Sequence, residues 1–261
     1  MREAQDRVAP HPVLSEYYQS ESQRRERVDQ MFDASATHYD WINSVMSFGS
    51  GERYRRQVLE RVGFEPGMIV LDAGSGTGVV AKLEQDIVGE SGLVVALDPS
   101  KGMLGEAKKR GVELAAQGLG ENLPFPDDQF DRVTMSYALR HVVDLRALFD
   151  EYLRVLKPGG KLLILEITRP SSGIGHFLLN TYMKVIVPAL TRIFRRSAEA
   201  QELMRYYWDT IEHCVPPQTI LETMEAAGLI SVKRDISFGT FSEYSASKET
   251  SPYNESTNGG I

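Results

Sequence analysis

The chain of 261 residues has a single cysteine, Cys214. One thiol excludes an intramolecular disulfide and fits a reducing compartment, so a cytoplasmic location is expected. Basic residues are also in short supply: 29 Lys and Arg against 36 Asp and Glu give a formal charge of −7. Such a balance supplies no broad attraction to phosphate backbones, and no nucleic-acid partner is expected. The first residues, MREAQDRVAPHPVLSEYYQ, lack the apolar core of a secretory signal. Long uncharged apolar runs are missing too. The nearest is IGHFLLNTYMKVIVPALTRIF, 174–194, which carries His176, Asn180, Lys184, Pro188 and Arg192. A spanning helix needs about 20 nearly uncharged residues, so no transmembrane segment is expected, although a greasy lid of this kind suits peripheral contact with a membrane surface. His213 and Cys214 are adjacent, but no third ligand lies at metal-binding spacing, so no metal is expected. GSGTG is not a G-x-S-x-G elbow, which removes the common hydrolase signature.

What is present is an alternation. Short apolar runs read as strands at 68–73, 93–98, 112–117, 131–136 and 161–167. Helical patterns separate them at 52–63, 79–89, 100–111 and 145–156, with Ser100 as an N-cap and KPGG as a stop. Strands buried on both faces and alternating with helices predict a mostly parallel sheet covered on both sides. Residues 169–215 interrupt the pattern with helical, aromatic-rich sequence. A helix at 219–228 and two strands near 229–236 and 239–247 follow. The expected organisation is an N-terminal lid or extension over 1–50, a main domain over 51–248 with a helical substrate lid at about 169–215, and a disordered polar tail over 249–261.

Ligands of such sheets bind beyond the carboxyl ends of the strands. There the chain has LDAGSGTG, 71–78, between a strand and a helix. Three alternating glycines exceed what a turn requires and allow a ligand to approach the backbone. A dinucleotide fingerprint is G-x-G-x-x-G; here the spacing is G-x-G-x-G, and Val79 stands where the third glycine would fall. Asp72, just ahead of the loop, suits a cationic amine better than a pyrophosphate, or orients the loop through its backbone N–H groups. Asp98 ends the next strand, where a carboxylate accepts both hydroxyls of a ribose.

VLDAGSGTG, VVALDPS with Met103, LPFPDDQFD and RVLKPGGKLLILE resemble, in order and spacing, the successive motifs of class I S-adenosylmethionine-dependent methyltransferases. MFDASATHYDWINSVMSFG (31–49), LRHVVD and YMKVIVP further resemble the C-methyltransferases of ubiquinone and menaquinone biosynthesis. The resemblance implies a Rossmann-like fold with a seven-stranded, mostly parallel sheet, helices on both faces, an N-terminal helical lid and a helical insertion before the last two strands. It implies S-adenosyl-L-methionine as cofactor, with Asp72, Gly74, Ser75, Gly76 and Thr77 at the methionine moiety. Asp98 then holds the ribose, Pro99 and Met103 line the adenine pocket, and Leu119, Gly120 and Glu121 follow beside it. Ser136 closes the cleft, while Tyr39 and Ser47 cover it from the lid. Leu119 departs from the family's usual Asn or Asp, leaving the Gly120 N–H for the adenine.

The expected reaction is methyl transfer to a small aromatic, quinol-like or natural-product acceptor, at carbon by the resemblance, with oxygen and nitrogen open; the remaining alternative is a nicotinamide-dependent oxidoreductase, against which the glycine spacing argues. Carbon methylation of a phenol or quinol needs a base for the ring hydroxyl and a cation for the oxyanion. Arg140 and His141, just past the strand ending at Ser136, are the candidates. A permanently charged arginine serves as the cation and a histidine as the base. Alternatively, Arg140 pairs with Asp144 or Glu166 and His141 is a satisfied structural histidine. The quinone enzymes usually read LRNV where this chain reads LRHV. Tyr182, Tyr206 and Tyr207, with neighbouring aromatics of 169–215, are expected to form an apolar acceptor wall, and the lid's apolar surface also suits a homodimer contact.

Overall fold

The structure is a computed structural model and describes residues 7–46, 51–170, 172–194 and 197–250. Helices α1 (Glu21–Met46) and α2 (Gly51–Val62) precede the alternating part. That part runs β1 (Ile69–Ala73), α3 (Val79–Val88), β2 (Leu93–Asp98), α4 (Lys101–Lys109), β3 (Leu114–Gln117), β4 (Phe130–Ser136), a 3₁₀ turn (Leu139–His141), α5 (Leu145–Val155) and β5 (Leu156–Ile167). The insertion holds α6 (Gly173–Thr181), a π-helical turn (Tyr182–Ile186), α7 (Val187–Phe194) and α8 (Ala198–His213). Helix α9 (Pro217–Ala226) and the hairpin β6 (Ile230–Ser237) and β7 (Phe241–Ser247) complete the described chain.

The seven strands lie in the order β3-β2-β1-β4-β5-β7-β6. The first five are parallel, and β7 is antiparallel to both β5 and β6. Because side chains alternate across a strand, neighbouring residues serve two different cores. Leu71, Leu97, Leu162 and Ile164 pack with α5 and α9. Val70, Val94, Ala96, Leu163 and Leu165 pack with α2, α3 and α4. Ser100 caps α4 as expected, accepting the Met103 N–H at 3.1 Å.

Two boundaries differ from the sequence reading. The chain is already extended at Leu156, so β5 includes KPGG, and its pairing with β4 shifts register between Phe130 and Arg132. Gly159, at φ +77°, lets the backbone turn through that irregularity. The sequence reads as helical around 15–30; the structure instead has one 26-residue helix, α1, from Glu21 to Met46. It packs with α8 on a third core of its own, containing Val28, Met31, Met183, Leu203, Met204 and Trp208. Most of the tail expected to be disordered, 251–261, lies outside the described residues.

Candidate active site

The carboxyl ends of β1, β2 and β4 open onto a cleft of about 780 Å³, part of it facing solvent. The loop after β1 forms its floor. Gly74, Gly76 and Gly78 have φ of +69°, +55° and +75°, a region that favours glycine. A Cβ on Gly74 would come within 2.7 Å of Ala138 Cβ, whereas one on Gly76 would meet only Tyr39 Cε1, at 3.9 Å. Gly74 is thus packed against the wall, and Gly76 presents bare backbone to the cleft. Asp98 fixes the loop from β2: Oδ2 accepts the Gly76 N–H at 2.8 Å and Oδ1 the Ser100 N–H at 2.9 Å. Burial raises its carboxyl to about 6, against the pull of these two donors.

Helix α1 is fastened across this floor. Asp33 Oδ1 accepts from Ser100 Oγ and from the Gly102 N–H at the start of α4. Asp40 accepts from Thr77 Oγ1 and pairs with Arg110. Tyr39 shares a hydroxyl–hydroxyl hydrogen bond with Tyr207 of α8. Phe32, Tyr39, His141 and Tyr207 surround one end of the cleft with ring centroids 5.1–6.3 Å apart.

Beyond β4, Tyr137 takes φ +60° and donates its N–H to the Leu165 carbonyl at 2.7 Å. The turn then sends Arg140 and His141 in different directions. Arg140 is fully buried and does not line the cleft. Its Nη1 pairs with Glu166, its Nε donates to Thr210 Oγ1 at 3.2 Å, and its guanidinium lies 5.3 Å from the Tyr207 ring centroid. Its carbonyl accepts from Arg24, also fully buried, whose Nη2 also donates to His11 Nε2 at 2.7 Å. His141 does line the cleft. Its Nδ1 lies 3.3 Å from Tyr206 Oη, and its buried Nε2 has no partner among the described residues. Burial, with Arg140, His11 and Arg24 nearby, holds its pKa well below the ordinary histidine value, so the ring is neutral.

Comparison with known proteins agrees with this geometry. The sequence model of the ubiE/COQ5 methyltransferase family matches residues 19–248. The chain belongs to the ubiE/COQ5 methyltransferase family. It is 36% identical over 217 residues to the ubiquinone/menaquinone biosynthesis C-methyltransferase UbiE of Shewanella piezotolerans, covering 80% of this chain and 85% of that one. The UbiE of Pseudomonas fluorescens is 34% identical over 215 residues, with coverage of 80% and 83%. Among solved structures, phosphoethanolamine N-methyltransferase 2 of Haemonchus contortus, in complex with S-adenosyl-L-methionine, has a similar fold at TM-score 0.63 and 18% identity. The match covers 87% of this chain and 60% of that one.

As a member of the ubiE/COQ5 methyltransferase family the chain is an S-adenosylmethionine-dependent methyltransferase, and the cleft fits that cofactor. Gly76 offers bare backbone, and Asp98 is immobilised by two N–H donors with lone pairs to spare for a ribose. Met103, Pro99 and Leu119 supply apolar wall in the same cleft. Gly120 packs so closely that a Cβ there would lie 2.6 Å from Leu148 Cδ1.

Of the residues anticipated for a ubiE/COQ5-type site, the structure brings Tyr39, Gly74, Gly76, Asp98, Pro99 and Met103 to the cleft. Leu119, Gly120, Glu121, Ser136, His141 and Tyr207 join them there. Others go elsewhere. Asp72 lies under the loop, fully buried, 3.3 Å from Thr134 Oγ1, which donates to Glu84 Oε1 at 2.8 Å. Burial raises both carboxyls, with Asp98 adding to the rise at Asp72 and Asp72 to that at Glu84, so the pair favours a retained proton over binding a cationic amine in the cleft. Thr77 faces Asp40 of the lid, and Ser75 Oγ is buried without a partner among the described residues. Arg140 is not placed to meet an oxyanion in the cleft, because Glu166 holds it beneath. Tyr206 is buried behind His141, and Tyr182 packs against the lid core; neither lines the cleft. Ser47 lies outside the described residues. The sequence reading missed Arg25, Val28 and Asp29 from α1, together with Tyr137. The α1 residues carry no motif, and only the docking of that helix brings them over the loop.

Proposed function

We propose that this methyltransferase transfers its methyl group to a ring carbon of a quinol-type acceptor. The observation that carries the reading is the extent of the family match: residues 19–248 take in α1 and the insertion as well as the sheet, and the relatives it resembles are named C-methyltransferases of quinone biosynthesis. Bound S-adenosylmethionine would supply an electrophilic methyl on a sulfonium. Gly74 and Gly76 would receive its methionine portion, Asp98 its ribose, and Pro99, Met103, Leu119 and Gly120 its base. Tyr39 would cover the sulfonium, where an aromatic face stabilises a cation, and Ser136 would close the cleft. Orienting the acceptor carbon in line with that methyl supplies much of the rate; as the carbon–carbon bond forms, the sulfur–methyl bond would break to release S-adenosylhomocysteine, and the proton displaced from the ring would pass to water at the open side of the cleft.

His141 is the group assigned to the acceptor. With Nδ1–H donating to Tyr206 Oη, its Nε2 lone pair accepts the hydrogen bond of a ring hydroxyl and polarises the ring. Full proton capture is opposed by burial and by the Arg140 and Arg24 guanidinium groups, which keep the imidazole neutral. Arg140 acts indirectly: it ties the end of β5 to α8 and so places the His141 turn. With isotopically labelled S-adenosylmethionine and a prenylated quinol lacking its ring methyl, carbon-13 spectra should show label on ring carbon. His141→Ala should lower kcat/KM about a hundredfold, while affinity for S-adenosylhomocysteine stays within about twofold. Label on oxygen, or full turnover by the variant, would refute the assignment.

The same reading gives the lid a place to work. Among the described residues no helix is long and apolar enough to cross a membrane. Ile174, Phe177, Leu178 and Val185 nevertheless stand exposed along the helical stretch 173–186, at spacings that place them on one face. This face is assigned to the surface of a bilayer holding the acceptor. Replacing Phe177 and Leu178 by Ser should abolish co-sedimentation with lipid vesicles without changing the melting temperature. Unchanged sedimentation, or a parent dimer that becomes monomeric in the variant, would point to another partner.

A further inference from the structure

The cleft that Asp98 lines also presents apolar surface from Val28, Pro99, Met103 and Leu119. These suit the flat faces of a purine. A purine also has a polar edge, and burying it unpaired is costly. Besides Asp98, three charged side chains line the cleft and could meet that edge: Arg25, Asp29 and Glu121. Glu121 is already committed. Its Oε1 accepts the Val143 N–H at 2.7 Å and faces Arg25 Nη2 at 3.4 Å, so the two side chains hold each other and the following loop.

Asp29 is different. It lines the cleft, is half-buried, and accepts no hydrogen bond from any described residue. Its position is fixed by the helix that carries it. One turn further along, Asp33 grips Ser100 Oγ and the Gly102 N–H, immediately after Asp98. Asp29 therefore stands about one helical pitch, ~5.4 Å, from that anchor. Its electrostatic neighbours are Arg25, Asp33 and Glu121, and it is in turn felt by Asp98. A carboxylate that is half-desolvated, surrounded by other acids and short of donors is relieved by a ligand N–H.

We propose that Asp29 accepts a hydrogen bond from the exocyclic amine of the cofactor's adenine and so makes the cleft select adenine over a purine with oxygen at that position. The lid helix then reads the base while the sheet reads the ribose. The assignment depends on the cofactor and is independent of the methyl acceptor.

Isothermal titration with S-adenosylhomocysteine and S-inosylhomocysteine tests it. The parent protein should prefer the adenosyl ligand at least about tenfold, as expected for a hydrogen bond to a charged group. Asp29→Ala should weaken the adenosyl ligand about tenfold or more and change the inosyl ligand by less than about twofold, erasing the preference. Asp29→Asn, whose amide accepts from the adenosyl amine or, turned over, donates to the inosyl oxygen, should hold the adenosyl ligand better than Asp29→Ala yet lose most of the preference, which separates discrimination from disturbance of α1. Equal losses for both ligands in Asp29→Ala would assign Asp29 to the ribose or to general electrostatics and overturn the proposal. An unchanged preference in Asp29→Ala would overturn it as well.

Discussion

The sheet and the lid bury ionisable groups of opposite kind, acids in one and bases in the other. Beneath the cofactor loop, the sheet encloses Asp72 and Glu84 around Thr134, two acids with raised pKa values in aliphatic surroundings. At the junction with the lid, Arg24 and Arg140 are fully buried among tyrosines, and His11 and His141 are kept neutral beside them. The sheet is built from strands whose neighbours are supplied by the regular parallel order. The lid is closed by pairs far apart in sequence, such as Tyr39 with Tyr207 and Arg27 with Glu202. One region is a scaffold that holds the loop; the other is a cover joined by a few specific polar contacts. Changes in the two should therefore be separable.

The largest effect is expected at their junction. Arg140→Met leaves Glu166 buried without its partner, a loss of about 3–5 kcal/mol for a broken buried pair. Hydrogen exchange should accelerate in α1 and α8 before it does in β1, β2 and β4; uniform acceleration would show that lid and sheet open as one unit. Next comes Gly78→Ala, confined to the scaffold. Gly78 has φ +75°, and a Cβ would lie 2.6 Å from Val112 Cγ2 and 2.9 Å from Ala107 Cβ. Strain and overpacking together should cost about 2–4 kcal/mol in urea unfolding, and a change below 0.5 kcal/mol would mean the loop is not packed as described.

The smallest effects are differences in pH dependence, and they should have opposite signs. Burial and Arg24 lower His11 from the ordinary value of 6.5 to about 4. The unfolded chain thus binds a proton that the native state refuses, and lid stability is lost as pH falls from 6.5 towards 4. His11→Gln should flatten that limb of the melting-temperature profile. For Asp72 and Glu84 the native state holds protons that the unfolded chain releases, so stability falls as pH rises through the carboxylate range towards neutrality. Glu84→Gln should flatten that limb and raise stability at pH 8 relative to the parent. Unchanged slopes in both variants would remove the electrostatic distinction between the regions.

This distinction also marks what could be read from the sequence. Strand alternation, the glycine loop, Asp98 and the Ser100 cap are local signals, and the structure places each where periodicity and capping chemistry put it. Arg140 could be seen near the cleft but not assigned, because its direction depends on Glu166, 26 residues away, and on Thr210, 70 residues away. The choice between the two roles open to Asp72 depends likewise on distant residues: nothing local reveals that Thr134 and Glu84 lie behind it. Asp29, Asp33 and Asp40 look like ordinary acids of a solvated helix until α1 is docked.

The hydrogen bond from Tyr17 to Asp209 spans 192 residues of chain. At synthesis rates of about 5–20 residues per second, the N-terminal segment waits roughly 10–40 s after leaving the ribosome before α8 exists. It must remain soluble through that interval with no partner to cover it. The opening turns of α1, ESQRRERVDQ, suit the wait: they are densely charged, and Val28 is their one apolar residue. The lid's entrance is thus written first as a chain that can tolerate water, and only afterwards as a wall of the active site.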